Sequence, residues 1–283
     1  MKRRDLWPYL AVTPLLILLL LFEVLPAVQV MWASVHLPSG AFSLENFKDV
    51  FTGAIWQAAM KNSFFLTLWS TLAGLGLSVL GAWALSRSTG RVREVVAALV
   101  SLCINFAGVP LTFAFIILLG SSGVVAYLFQ MAGSDLRNHF NLFGPSGLAL
   151  VYIYFQIPLG IFLMLPAFAG LRREWEEAAE NLGARSWQFW RYVGLPVLTP
   201  AMAATASVLF ANALGAQATA YAMTNGMMNI MTVRMSRLVS GDVDYEPNLA
   251  SAAAVVLALL MVVALLINQT LSRRFSAYTR EGR

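Results

Sequence analysis

Six runs of about twenty predominantly apolar residues, each long enough to cross about 30 Å of hydrocarbon as a helix, divide this chain at short polar stretches. They cover residues 8–30, 64–85, 95–119, 148–168, 196–222 and 249–271. In lipid every backbone N–H and C=O must be satisfied within the structure, so such runs are read as helices. The pattern predicts an all-α integral membrane protein with six transmembrane helices, forming a single transmembrane domain over residues 1–283. Nothing is left over for a soluble catalytic domain.

Composition agrees, with 59% hydrophobic and 12% charged residues against roughly a quarter charged in soluble domains. Lys and Arg then set the orientation, because cytoplasmic loops carry them in excess. Placing both termini in the cytoplasm puts Lys2, Arg3, Arg4, Arg87, Arg91, Arg93, Arg172, Arg173, Arg185, Arg191, Arg273, Arg274, Arg280 and Arg283 inside. Only Lys48, Lys61, Arg137, Arg234 and Arg237 remain outside. The net charge of +5 follows from this asymmetry and gives no case for nucleic-acid binding. The opening MKRR and its apolar run resemble a signal peptide, but the run is too long for one and Glu23 interrupts it, so it is expected to stay as the first span. Cys103, the single cysteine, excludes a disulfide within this chain and a Cys-based zinc site.

On the outer side, Ser43 is placed to cap a short helix whose apolar face is Leu44, Phe47 and Val50 or Phe51, expected to lie on the membrane surface. His36 and His139 are read as solvated loop residues. Met227, Met231, Met235 and Leu238 recur at helical spacing and predict a short amphipathic helix, either packed on its neighbours or offering an adaptable Met surface with Arg234, Arg237, Asp242 and Asp244 beside it. In the fifth span Ala203, Ser207, Ala211, Gly215 and Thr219 form a ladder of small residues suited to close helix approach. Glu23, Asn105, Gln156, Asn212 and Gln217 are costly to leave unpaired in lipid. They are the candidate substrate-path residues, with hydrogen bonding between helices as the alternative for the amides and a structural pairing as the alternative for Glu23. Asn212 and Gln217 lie about 140° apart on an ideal helix of 3.6 residues per turn, so at most one would face a path.

The cytoplasmic segment 172–195 is charged and Trp-rich. Glu174, Glu176 and Glu177 load the first turn of a helix, Gly183 can end it with a positive φ, and Ser186 is placed to cap a second short helix carrying Trp187, Trp190 and Arg191. Pro196 then suits the first turn of the fifth span. The three lysines, Lys2, Lys48 and Lys61, follow no Gly, so the Gly-Lys-Ser/Thr of a phosphate-binding loop is absent. No Ser/His/Asp set, metal-ligand cluster or paired intramembrane carboxylates appears either, so the chain is not read as an enzyme.

Glu177, Ala178, Ala179, then Gly183, Val193, Leu195 and Pro196 resemble the EAA loop of permease subunits of ABC importers, with Val193 in place of the family's Ile. Asn62 and Ser63 are similar to the pair that begins the second helix in that family. The resemblance implies the type I importer permease (MetI-like) fold in the bacterial inner membrane, with Glu177, Ala178, Ala179, Gly183, Leu195 and Pro196 coupling to an ATPase. It implies two ATP-binding cassette subunits holding ATP and Mg, a second permease read as a homologous heterodimer partner, and an extracytoplasmic solute-binding protein. This chain would itself hold no cofactor. Leu182 before Gly183 and the run 215–224 are similar to the polyamine, opine, phosphonate and ferric-iron branch. The expected cargo is a polyamine or aminophosphonate-type solute, with a sugar or ferric iron as the alternative and an ATP-independent six-span channel as the competing class.

Overall fold

The computed structural model describes residues 7–133, 140–241 and 245–280, with side chains placed over 12–133, 140–241 and 245–266. His139, Arg137, Asp242, Asp244 and the charged side chains at both termini lie outside the described residues. Among the described residues there are helices and one isolated bridge, His36 to Phe42. By length and composition six stretches can cross a membrane: Val12–Ser34, Ala54–Arg87, Val109–Met131, Pro145–Ala169, Ser186–Leu214 and Pro247–Leu266.

The first span is α1 (Trp7–Leu19) and α2 (Leu25–Ser34), joined by a π-helical turn over Leu20–Val24. Pro26 follows that turn, and a proline inside a helix lacks an N–H and crowds the carbonyl four residues back. Widening the helix just before it relieves both, and Leu25 N–H reaches back to Leu20 O. The same device recurs before Pro196. After α10 (Ser186–Phe189) comes a π turn over Trp190–Gly194, with Leu195 N–H on Trp190 O, leading into α11 (Leu195–Leu214). The fifth span therefore begins at Ser186, and Pro196 lies inside a continuous helix rather than at its start.

Between these spans lie α3 (Glu45–Thr52), α4 (Ala54–Arg87), α5 (Gly90–Asn105), α6 (Val109–Leu119), α7 (Val124–Met131), α8 (Pro145–Ala169) and α9 (Arg173–Asn181). After α11 come α12 (Gln217–Thr224), α13 (Met231–Ser240) and α14 (Pro247–Arg280). At 1.5 Å per residue α4 is about 51 Å long. It overruns the hydrocarbon, which is why it begins ten residues before the apolar run that predicted it.

The centre of the bundle is α4 on α8. A Cβ on Gly74 would meet Gln156, and one on Gly81 would meet Ile161; Ser78 Oγ donates to Ile157 O at 3.1 Å. Numbers rise together on both helices, so they run in the same direction, as the second and fourth spans must. The face α4 presents is Ser63, Thr67, Ser70, Thr71, Gly74, Ser78 and Ala82, all buried. This is the small-residue stripe that governs the fold. The ladder expected on the fifth span ends at Gly215, which sits on Met261 of α14; Thr219 belongs to a separate helix, α12. Ser207 is buried within the subunit.

Gln156 is fully buried in the α4–α8 contact, and neither its Oε1 nor its Nε2 has a partner among the described residues. A buried polar group left unpaired costs about 1–3 kcal/mol. Gln156→Met, similar in volume, is expected to leave the melting temperature unchanged or raise it; a drop of several degrees would mean that the amide is satisfied after all.

At the end of the bundle remote from Arg87, α3 seats Phe47 and Val50 against α14 and leaves Leu44 and Phe51 exposed, so its apolar face is divided between protein and surface. Ser43 Oγ accepts the Glu45 N–H at 3.1 Å, but it stands one residue before the cap position, which Leu44 occupies. His36 is not simply solvated, since its ring stacks on Trp32 at 4.3 Å and its carbonyl accepts from Asn46 and Asn248. The Met helix begins at Met231. Met231 and Met235 pack into the core cluster of α4 and α14 while Met227 is exposed before the helix starts. Asn62 and Ser63 lie within α4 and hold this loop: Asn62 donates to Asn229 O at 3.0 Å, and Ser63 Oγ accepts the Met231 N–H at 2.9 Å.

Candidate functional site

The acidic helix α9 leaves the arginine-rich end of the bundle and stops at Gly183. There φ is +79°, Gly183 N–H reaches Glu180 O at 2.9 Å and Ala184 N–H reaches Ala179 O at 3.0 Å, the paired bonds of a Schellman stop. Arg185 N–H donates to Gln188 Oε1 at 2.7 Å, so the second helix is capped by Gln188 reaching back, and Ser186 is its first residue rather than its cap. Chain direction thus reverses within five residues, and α9 is held beside the start of the fifth span.

Two contacts fasten this hairpin to the membrane helices. Glu176 accepts from Arg87, the last residue of α4, at 2.5 Å, and Trp190 packs edge-on against Trp83 of α4 at 6.4 Å. Neither is legible in the sequence, because residues 89 and 107 positions apart carry no spacing signal. The opposite surface is bare: Trp175, Trp187 and Leu182 are exposed, Leu182 at 87%, with Glu177 and Ala178 beside them. Among the described residues Glu177 pairs only with its helix neighbour Arg173, at 3.3 Å. An exposed apolar and acidic ledge on a fastened hairpin is suited to receive another protein.

Exposed ion pairs contribute about 0.2–1 kcal/mol, and Glu176 is partly sheltered, so the upper part of that range applies to Arg87–Glu176. Arg87→Gln is expected to speed amide exchange across Arg173–Asn181, and exchanging the two charges between positions 87 and 176 should slow it again. Unaltered exchange in the single variant would show that the pair does not hold α9.

A second feature lies where two of the spans end. The third expected span is broken at Phe106–Gly108, where Gly108 takes φ +73°, and the fifth is broken at Gly215–Ala216. The two breaks meet. Gly108 faces Ala218, Thr112 Oγ donates to Thr219 O at 3.4 Å, and Tyr152 OH donates to Ala216 O at 3.0 Å. Four helix ends, of α5, α6, α11 and α12, therefore converge.

The five candidate path residues separate here. Asn105 and Asn212 are exposed on the last turns of α5 and α11, just before the breaks; Asn105 donates to Ser101 O in its own helix. Gln217 donates to Ser236 Oγ at 3.0 Å and is tied to α13. The break also turns α12 away from α11, so the angle computed for a straight helix does not apply to Asn212 and Gln217. Gln156 is sealed between α4 and α8. Glu23 is exposed in the π turn of the first span, where Val12–Ser34 has no buried residue across its apolar window.

The family model described as binding-protein-dependent transport system inner membrane component matches residues 74–277. The chain is 28% identical over 268 residues to the sulfate transport system permease protein CysW of Synechocystis sp., covering 94% of this chain and 93% of that one. It is 28% identical over 263 residues to the thiamine transport system permease protein ThiP of Salmonella typhimurium, covering 91% of this chain but 46% of the relative, so it spans about half that protein's length. In structure it resembles a chain of a bacterial ABC transporter involved in the import of the acidic polysaccharide alginate, with a TM-score of 0.75 at 22% identity over 96% of both chains. It also resembles a chain of the MetNI methionine ABC transporter, with a TM-score of 0.55 at 16% identity over 82% of this chain and 98% of that one. The chain belongs to the binding-protein-dependent transport system inner membrane components, the permeases of ABC importers, with the type I fold of a multi-pass inner-membrane protein.

Proposed function

We propose that this chain forms half of the solute path of an ATP-driven importer, with the α9–α10 hairpin as its cytoplasmic coupling element and the junction of broken helices as the place where cargo passes. The observation that carries the reading is the fastened hairpin: an exposed ledge around Glu177, Ala178 and Leu182, joined through Glu176 to Arg87 at the foot of α4. With no phosphate-binding loop of its own, the chain takes its energy from two ATP-binding cassette subunits that hold ATP and Mg. A ledge pushed by their closure moves α4 directly and the fifth span through the unbroken helix from Ser186 to Leu214.

A second, homologous permease completes the path. The first span supports this, because no residue across its apolar window, which holds Glu23, is buried within the subunit, and a bare carboxylate in hydrocarbon is costly. An extracytoplasmic binding protein delivers the solute. At the junction Asn105, Asn212 and the carbonyl ends of α5 and α11 offer uncharged hydrogen bonding, as discontinuous helices do in other transporters, and suit a small polar solute. The polyamine or aminophosphonate class rests on local sequence similarity alone. Glu23, its cationic argument, lies on the unburied first span, and the relatives named above are sulfate and thiamine permeases.

Two experiments test the proposal. Pulled from its native membrane, the chain is expected to bring an ATP-binding subunit with it, and Glu177→Lys should break that association; a chain that transports alone would instead be a channel. Asn105→Leu with Asn212→Leu removes two polar groups worth about 1 kcal/mol each, so uptake should fall about tenfold or more while ATP hydrolysis persists. Unchanged uptake would move the path away from the junction.

A further inference from the structure

We propose that the groove between α5 and α8 at the arginine-rich end binds one anionic phospholipid, its phosphate on Arg93 and Arg172 and an acyl chain in the cleft above. The lower part of the groove is a cavity of about 590 Å³ bounded by the ends of α4 and α8, the start of α5 and the hairpin. Arg87, Arg93, Arg172 and Arg173 all line it. Arg87 is engaged by Glu176 and Arg173 by Glu177, whereas Arg93 and Arg172 have no carboxylate partner among the described residues. Two exposed guanidiniums beside one cavity make a phosphate site, because their planar donor forks match its oxygens. Trp83 and Trp190 form the wall, and Trp side chains favour the level of lipid headgroups.

Directly above, the same two helices enclose a second cleft of about 220 Å³, lined by Val96, Leu99 and Cys103 of α5 and by Ile157, Pro158 and Ile161 of α8. The two spaces lie in register. Ala97 and Leu165 border the lower one, Val100 and Ile161 the upper, and each pair is separated by a single helical turn. From Arg93 to Leu99 the helix climbs about 9 Å, the reach from a phosphate to the first methylenes of a chain. A cationic cup continuous with an apolar slot selects a lipid over a free anion, since inorganic phosphate would fill only the cup. Arg172 immediately precedes α9, so the bound headgroup would sit against the root of the hairpin.

The test uses the purified full-length chain in detergent, with bound lipids counted by native mass spectrometry after adding phosphatidylglycerol or phosphatidylcholine. Each Arg near anionic lipid contributes appreciably, so phosphatidylglycerol should be retained about tenfold better than phosphatidylcholine. Arg93→Gln with Arg172→Gln should abolish that preference. If the double variant is not recovered folded, Arg93→Gln alone should reduce the preference about threefold, half the effect on a logarithmic scale. Leu99→Trp, which fills the slot, should weaken retention with both arginines present. Equal retention of the two lipids, or an undiminished preference in the arginine variants, would overturn the proposal. Displacement of phosphatidylglycerol by excess inorganic phosphate would identify a free-anion site and end the lipid reading.

Discussion

Gly183→Val is expected to cut ATP-driven uptake by more than about tenfold while the membrane helices remain assembled. The reason is conformational. Gly183 sits at φ +79°, a left-handed backbone that costs an ordinary L-residue about 1–2 kcal/mol and a β-branched one more. No atom lies within 4 Å of the position a Cβ would take, so no clash within the chain forces the bundle apart. What changes is the turn: the bonds from Gly183 to Glu180 O and from Ala184 to Ala179 O are lost, and α9 no longer reverses onto the start of the fifth span.

A graded series separates this cause from contact with a partner. Asn tolerates the left-handed region, so Gly183→Asn should keep most of the activity, with Ala intermediate and Val lowest. If Asn falls as far as Val, the position is needed bare against the ATPase surface rather than for its φ. Uptake into proteoliposomes containing the whole importer measures the series, and thermal unfolding of each variant shows that the bundle persists.

How much of this could be read from the chain differs by feature. All six spans are legible in number, and four of them closely in extent, because hydropathy records what lipid requires, and the stop at Gly183 is legible because a local motif determines it. The third apolar run, 95–119, reads as one helix, whereas the chain breaks within it and the stretch that can cross a membrane is Val109–Met131, preceded by the separate helix α5. Phe106, Ala107 and Val109 are as apolar as their neighbours, and only Gly108 followed by Pro110 marked the break. The break at Gly215 was hidden in the same way, so Thr219 was counted in a ladder on a helix to which it does not belong.

The π turns were also invisible, although each precedes a Leu-Pro pair, Leu25-Pro26 and Leu195-Pro196, which in hindsight is their signal. Long-range pairing is a different matter. That Arg87 meets Glu176, or that Tyr152 pins Ala216, depends on which helices adjoin, and a single sequence does not state that. The candidate path residues scatter for the same reason: their polarity is a property of the sequence, but burial, which separates Gln156 from Asn212, is a property of the assembled bundle.

The small-residue face of α4 supplies the other large expected effect. Gly160 of α8 lies so close to Ser78 that a Cβ there would stand 2.2 Å from Ser78 Oγ and 2.6 Å from its Cβ, with Leu209 of α11 at 3.3 Å. Ser78 cannot readily turn aside, because its hydroxyl lies between Gly74 O at 2.6 Å and Ile157 O at 3.1 Å, which share its one proton. Overpacking of this kind costs about 1–3 kcal/mol, so Gly160→Ala should lower the melting temperature clearly and Gly160→Leu should leave little folded protein. Gly81 is the internal comparison: its Cβ would meet the flexible Cδ1 of Ile161, so Gly81→Ala should be milder. Since both short contacts at Gly160 come from the Ser78 side chain, Ser78→Gly combined with Gly160→Ala removes them. The pair should recover most of the lost stability, a non-additivity expected only of residues in direct contact. A double variant no more stable than Gly160→Ala alone would mean that α4 and α8 do not approach in this register, and with that the parallel packing on which both the junction and the α9–α10 hairpin depend would have to be redrawn.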